Sequence, residues 1–263
     1  MAANKKWALI TGASSGIGRA LALEFAARGY NLFLTARNEE ALRQVAADGS
    51  RKFKVGTEIR SADLSNLEAI DALIRGLSTP PLEIEILVNN AGFGVHGEYL
   101  ETDLDQELQM LNLQLTANLK LTKALLPGMV ARKNGRILNV ASVYSFAPVP
   151  YQAVYSACKA FILSFSASLG EELKYTGVTV TAFCPGTTQT EFRARAGIAE
   201  KNKSAGVTAE SVARIAVRQT LKGKPLVVPG FPNRLFAFFA RRLPFVVVPR
   251  IVRLINNARG VNE

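Results

Sequence analysis

Six near-continuous apolar runs, at residues 7–11, 31–36, 84–89, 136–142, 178–184 and 226–228, alternate with amphipathic stretches at 16–28, 39–47, 67–77, 104–129, 155–175 and 209–221. A strand covered on both faces is apolar at nearly every position, whereas a half-exposed strand alternates. Strand, helix and parallel strand in succession form the repeating unit of an open α/β sheet. A single-domain α/β protein is therefore expected, with a doubly wound parallel sheet of about seven strands and helices on both faces. Residues 57–62 make a weaker strand, since only Ile59 brings apolar bulk. No repeat, linker or composition break divides residues 1–230, while Pro232, Pro244 and Pro249 punctuate an extension over 231–263.

The first run ends in Thr11-Gly12-Ala13-Ser14-Ser15-Gly16-Ile17-Gly18, and a helix begins within that turn. Its glycines permit a tight turn, close approach of backbone to a diphosphate, and close packing of helix on strand, while the helix N-terminus presents free N–H donors. This pattern reads as the dinucleotide cradle of a Rossmann-type sheet, with a purely structural strand-to-helix turn as the alternative. At the end of the second run, Leu34-Thr35-Ala36-Arg37 lacks the acid that holds ribose hydroxyls in NAD sites. The Arg37 guanidinium suits a 2′-phosphate, so NADP(H) is expected over NAD(H). The competing role for Arg37 is an ion pair with Glu39 or Glu40.

The spacing of these glycines, Asn89-Asn90-Ala91-Gly92 closing a later strand, and Tyr155-x-x-x-Lys159 preceded by Ser142 together resemble the short-chain dehydrogenase/reductase family over about residues 6–230. Residues i and i+4 share a helix face, so Lys159 can reach the surroundings of Tyr155. The resemblance implies that Tyr155 is the acid/base and that Ser142 holds the substrate oxygen. A nearby ammonium and an oxidised nicotinamide are both expected to favour the phenolate. It also implies a proton relay through the main chain of Asn112, for which a merely polar helix position is the alternative. In the same way it assigns Asp63 and Leu64 to adenine, Asn89, Ala91 and Gly92 to the central strand and adenosine ribose, and Pro185, Gly186, Thr188 and Thr190 to the nicotinamide carboxamide. Asp63 is equally placed to cap a helix. Ser14, Ser15 and Ile17 complete the cradle beside Gly12, Gly16 and Gly18.

Phe93, Val143, Tyr144, Tyr151 and Phe192, with Val95 and Phe146 nearby, suggest an apolar substrate pocket, and residues 187–207 resemble the family's substrate lid. The expected substrate is a hydrophobic ketone or secondary alcohol, and family members associate as homodimers or homotetramers. An NADP(H)-binding regulator without chemistry is the competing reading, disfavoured because a sensor has no need of Ser142, Tyr155 and Lys159 together. His96 is the single histidine, which argues against a metal site or a Ser-His-Asp triad. Cys158 and Cys184 read as reduced core thiols.

The net charge of +11 concentrates at the end: residues 222–263 hold eight Lys or Arg against the lone acid Glu263. Without a basic helix or aromatic readout motif this does not suggest nucleic acid. The extension is expected to cover the pocket or a subunit interface, or else to touch a membrane surface. The start Met1-Ala2-Ala3-Asn4-Lys5-Lys6 leads straight into an apolar run, and a cytoplasmic location is expected.

Overall fold

The computed structural model describes residues 6–77, 82–198 and 206–258. In chain order they form β1 (Trp7–Thr11), α1 (Gly16–Ala26), β2 (Asn31–Ala36), α2 (Glu39–Phe53), β3 (Thr57–Ser61), α3 (Leu67–Leu77), β4 (Ile84–Asn89), α4 (Leu104–Leu111) and α5 (Ala117–Ala131). There follow β5 (Gly135–Val140), α6 (Ala153–Glu172), β6 (Val178–Phe183), β7 (Thr188–Gln189), α7 (Phe192–Arg195), β8 (Val207–Thr208), α8 (Ala209–Leu221), β9 (Leu226–Val227), α9 (Phe231–Ala240) and α10 (Val248–Ala258). A π-helical turn, Asn112–Thr116, joins α4 to α5, and a 3₁₀ turn, Val143–Phe146, follows β5.

Seven parallel strands pair in the order β3-β2-β1-β4-β5-β6-β9. The period-two geometry of a strand sends neighbouring side chains to opposite faces. Ala8 and Ile10 of β1, with Leu32 and Leu34 of β2, join Leu21 and Phe25 of α1, Leu42 of α2 and Val217 of α8 in one core. Leu9 and Phe33, one residue away on the same strands, join Ile70 of α3, Leu121 of α5 and Leu169 of α6 in the other. Both faces of the sheet are thus buried, which is why its strands read as unbroken apolar runs.

The strand order reverses between β1 and β4. In open α/β sheets such a reversal opens a crevice at the carboxyl ends of the strands, because the loops on its two sides leave in opposite directions. A membrane-spanning length and hydropathy occur once among the described helices, in α6. That helix packs on β5 and β6 and carries buried Tyr155 and Lys159, so its apolar character belongs to the core.

Two helices depart from the expectation. The stretch 104–129 is interrupted by the π-helical turn, which places Asn112 at a break in the helix rather than in a regular one. The proline-punctuated extension folds into α9 and α10, with Pro232 and Pro249 in their first turns. Proline is tolerated there because those N–H groups have no intrahelical partner. Residues 1–5, 199–205 and 259–263, which include the chain start and parts of the expected lid and extension, lie outside the described residues.

Candidate active site

A cleft of about 750 Å³ opens at the carboxyl ends of the strands. The turn after β1 lines it with Gly12, Ser14, Ser15, Gly16, Ile17 and Gly18. Arg37 enters after β2, Asp63 and Leu64 after β3, and Ala91, Gly92 and Phe93 after β4. Ser142, Val143 and Tyr144 follow β5, Pro185, Gly186, Thr188 and Thr190 follow β6, and α6 contributes Tyr155 and Lys159.

The glycine turn is built for close approach. Gly12 has φ +64°, a left-handed conformation that costs a side-chain-bearing residue strain. A Cβ on Gly18 would lie 2.0 Å from the Gly12 carbonyl oxygen, so helix and strand meet there backbone to backbone. The Ser15 side chain makes no capping hydrogen bond, and the first turn of α1 holds no acid. Its N–H donors and positive dipole end therefore offer a diphosphate site with no competing carboxylate. Across the cleft, a Cβ on Gly16 would touch Thr190 at 3.1 Å, so the β6 loop closes over the cradle. These features fit a dinucleotide.

Arg37 is exposed at the cleft rim, and Glu39 pairs with Arg43. Asp63 accepts from the Ser65 amide and hydroxyl, while Asn66, accepting from the Ala69 amide, caps α3. Burial pushes the Asp63 carboxyl up, but the Ser65 hydrogen bonds and the Arg37 charge outweigh it and hold the carboxyl below its ordinary value. Arg37 and Asp63 thus form a pair of charged neighbours at one end of the cleft.

At the opposite end Tyr155 and Lys159 are both buried, with the ammonium 5.6 Å from the phenol ring centroid. Burial pushes the Tyr155 phenol well above its ordinary value, although hydrogen bonding with the Ser142 hydroxyl works the other way. With no cofactor in the cleft, desolvation of the phenolate dominates. The phenol there is protonated and ready to donate. Phe192 of α7 covers it, with ring centroids 5.6 Å apart. Ser142 Oγ accepts from the Tyr144 amide, and the Ser142 amide donates to Ser145 Oγ, which fixes the hydroxyl at the end of β5.

Lys159 Nζ donates to the Val140 carbonyl at 3.0 Å. Burial pulls this ammonium down to about 8, against the nearby Cys158 and Cys184, which raise it. Below pH 8 both folded and unfolded chains carry that proton, and folding bears the full cost of burying the charge. From pH 8 to the ordinary value of 10.5 the unfolded chain binds more protons, so stability rises with pH. The deficit relative to Lys159→Met should shrink by on the order of 3 kcal/mol across that window in denaturant titrations of the cofactor-free protein. A pH-independent difference would contradict the buried charge.

Several expected site residues do not line the cleft, although Asn89 keeps its expected place on the central strand. The Asn89 side chain turns away from the cleft and donates to Asn139, Asn118 and Thr122, tying β4 to β5 and α5. Asn90, one residue later, is the one that reaches the cleft: its Nδ2 donates to the Thr11 carbonyl at 2.9 Å and to the Gly12 carbonyl at 3.4 Å. Thr11 Oγ1 accepts from the Asn90 and Ala91 amides, locking the β4 loop against the glycine turn. Tyr151 is not among the cleft residues; it has φ +63° and faces His96, and Gln152 lines the cleft instead. Asn112, Val95 and Phe146 also lie off the cleft wall, and Phe146 packs with Ile162 and Cys184. The Asn112 carbonyl accepts from the Ala117 amide in the π-helical turn.

The extension supplies residues that sequence reasoning did not single out. Pro232, Asn233 and Phe236 of α9, with Val252, Ile255 and Asn256 of α10, form a wall of the cleft. Phe236 and Val252 pack on Tyr144, Ala147 and Val149, which holds both helices against the 3₁₀ turn.

With this geometry in place, the likeness to known proteins is specific. The sequence pattern of the short chain dehydrogenase family matches residues 6–201. The very-long-chain 3-oxoacyl-CoA reductase of Mus musculus is 41% identical over 184 residues, covering 68% of this chain and 58% of that protein. Its counterpart in Laccaria bicolor is 38% identical over 176 residues, covering 66% and 52%. The chain thus spans a little over half the length of these relatives. A short-chain dehydrogenase from Sphingobium yanoikuyae in complex with NADPH superposes with TM-score 0.82 at 32% identity, covering 90% of this chain and 93% of that one. The bulky-bulky ketone specific alcohol dehydrogenase from Comamonas testosteroni gives TM-score 0.79 at 29% identity, covering 91% and 93%. Fold, cleft and sequence pattern agree, and the chain belongs to the short chain dehydrogenase family.

Proposed function

We propose that this chain is an NADP(H)-dependent oxidoreductase that reduces a hydrophobic ketone, with a 3-oxoacyl thioester as the favoured substrate class. The observation that carries the reading is the placement of Ser142, Tyr155 and Lys159 in the same cleft as the glycine turn and Arg37. A nicotinamide dinucleotide held there would supply the hydride, and its oxidised ring a positive charge that favours phenolate.

The chain's own residues do the rest. Tyr155 donates its proton to the oxygen that develops negative charge, and its burial keeps that proton in place until then. Ser142 holds the same oxygen. Lys159, titrating near 8, can pass a proton back to the phenol at neutral pH. Phe192 and the α9–α10 wall keep water from the reacting atoms. The pocket beyond, walled by Phe93, Val143, Tyr144, Phe192, Phe236 and Val252, suits an acyl chain better than a sugar. The names of the two relatives and of the ketone-specific structure support that preference.

The test is steady-state reduction of 3-oxoacyl thioesters of increasing chain length with NADPH and with NADH. Long chains and NADPH should be favoured. Arg37→Glu should lower kcat/KM for NADPH by about 10- to 100-fold, as expected for a lost charge-assisted phosphate contact, and leave NADH nearly unchanged. Equal use of both cofactors by the unmodified protein would remove Arg37 from the account.

A further inference from the structure

Helices α9 and α10 have two faces. The inner one walls the cleft, but the outer side leaves Phe231, Phe238 and Phe239 of α9, Phe245 and Val246 of the loop between the helices, and Leu254 of α10 exposed, Phe245 at 75% and Leu254 at 68%. An apolar surface of this extent is costly in water and marks a contact site. Set among these side chains are exposed Arg234, Arg241, Arg242, Arg250 and Arg253. Residues 222–258 contain no Asp or Glu. None of these arginines forms an ion pair among the described residues, and the Arg242 guanidinium lies 3.6 Å from the Phe238 ring centroid.

We infer that the outer face of α9–α10 docks on an anionic bilayer surface, with aromatic side chains at the acyl boundary and arginines among the headgroups. Charge complementarity selects this occupant. A second copy of the chain seated on the same face would bring arginine against arginine with no carboxylate to offset it, since a two-fold interface pairs a patch with itself. An anionic bilayer offers both an apolar layer and a dense plane of negative charge, to which each basic residue adds attraction. The outer face also runs into the cleft: Ile255 lines the cleft and is itself 37% exposed, next to Leu254. Docking therefore sets the mouth of the cleft at the lipid boundary, where a long apolar substrate partitions.

The test is flotation of the full chain with vesicles of phosphatidylcholine alone or with a third of phosphatidylglycerol, at low and high salt. It needs neither cofactor nor turnover, so its outcome is independent of the catalytic reading. Partition onto anionic vesicles should exceed that onto neutral ones by about tenfold or more and weaken with salt. Phe239→Ser with Phe245→Ser should lower binding by about tenfold, with NADPH affinity and thermal midpoint unchanged. Arg241→Glu with Arg242→Glu should abolish the preference for anionic lipid. The inference is overturned by equal, negligible flotation on both vesicle types. It is equally overturned if the phenylalanine variant floats like the unmodified protein, or if that variant only converts a dimer to a monomer in light scattering.

Discussion

Tyr155→Phe is expected to bind NADPH within about twofold of the unmodified protein while its turnover falls by about 10²- to 10⁴-fold, the range for removing a positioned general acid. The substitution removes one hydroxyl and leaves a ring of the same shape. That ring is buried and packs against Phe192, so the helix and cleft wall should stay in place. The glycine turn, Arg37 and Asp63 lie at the other end of the cleft and make no use of the phenol. Fluorescence titration with NADPH and initial rates on the same preparation separate the two effects. A variant that retains most of its turnover would show that another group, or water, protonates the substrate oxygen.

Gly18→Ala should do the reverse, disabling the protein through its frame. An added Cβ would sit 2.0 Å from the Gly12 carbonyl oxygen and 2.6 Å from Asn90 Nδ2. The nearest of these contacts is backbone, so α1 must shift away from β1. Overpacking of this kind costs on the order of 3 kcal/mol, well above the ~1 kcal/mol gained by replacing glycine with alanine in a helix. Because the displaced helix end is also the proposed diphosphate site, NADPH affinity should fall by about 100-fold or more even where the variant folds. Gly76→Ala provides the control. It lies in α3 with nothing within 4 Å of its added Cβ, and should stabilise by about 0.5–1 kcal/mol. Thermal midpoints and NADPH titrations of the pair would settle the point; a Gly18→Ala protein as stable as the Gly76→Ala one, with normal affinity, would contradict the close approach.

What was legible in the sequence follows from what was buried. The central strands advertise themselves because both faces are covered, and α3 and α8 match the expected 67–77 and 209–221 because their apolar stripes end where the helices end. β3 was faint because it is an edge strand, paired only with β2 and largely exposed, so nothing requires it to be apolar. Helix α2 runs to Phe53, past the expected 47, through polar Asp48-Gly49-Ser50-Arg51; Gly49 packs under Leu32, and Lys54 ends the helix in a left-handed conformation. Two of the extension's prolines, Pro232 and Pro249, looked like breaks and prove to be helix starts, while Pro244 lies in the segment between α9 and α10.

The site was legible where its chemistry is local. Tyr155 and Lys159 share a helix face and the glycine turn is one contiguous segment, so their motifs can be read from the sequence, and their order along the chain carried the family resemblance that assigned them roles. Asn89 and Asn90 show the opposite case. Asn89 closes β4 and Asn90 follows it, and only their placement against a known sheet decides that Asn89 enters the interior and Asn90 the cleft. Tyr151 was misplaced because its positive φ, unusual for a tyrosine, turns the chain just before α6. The π-helical turn at Asn112 leaves little trace in the sequence, since one extra residue barely alters an apolar stripe.

The central claim is that this cleft brings a protonated phenol to a carbonyl at the moment a nicotinamide reduces it. Deuterium transfer tests it most directly: the protein is incubated with NADPH deuterated at both C4 positions of the nicotinamide and with long-chain 3-oxoacyl thioesters, and the products are examined by mass spectrometry. The account expects one deuterium on the former carbonyl carbon for each cofactor oxidised. Full occupancy by the labelled cofactor with no deuterium in any product would contradict it, and would leave a protein that holds the dinucleotide without using it.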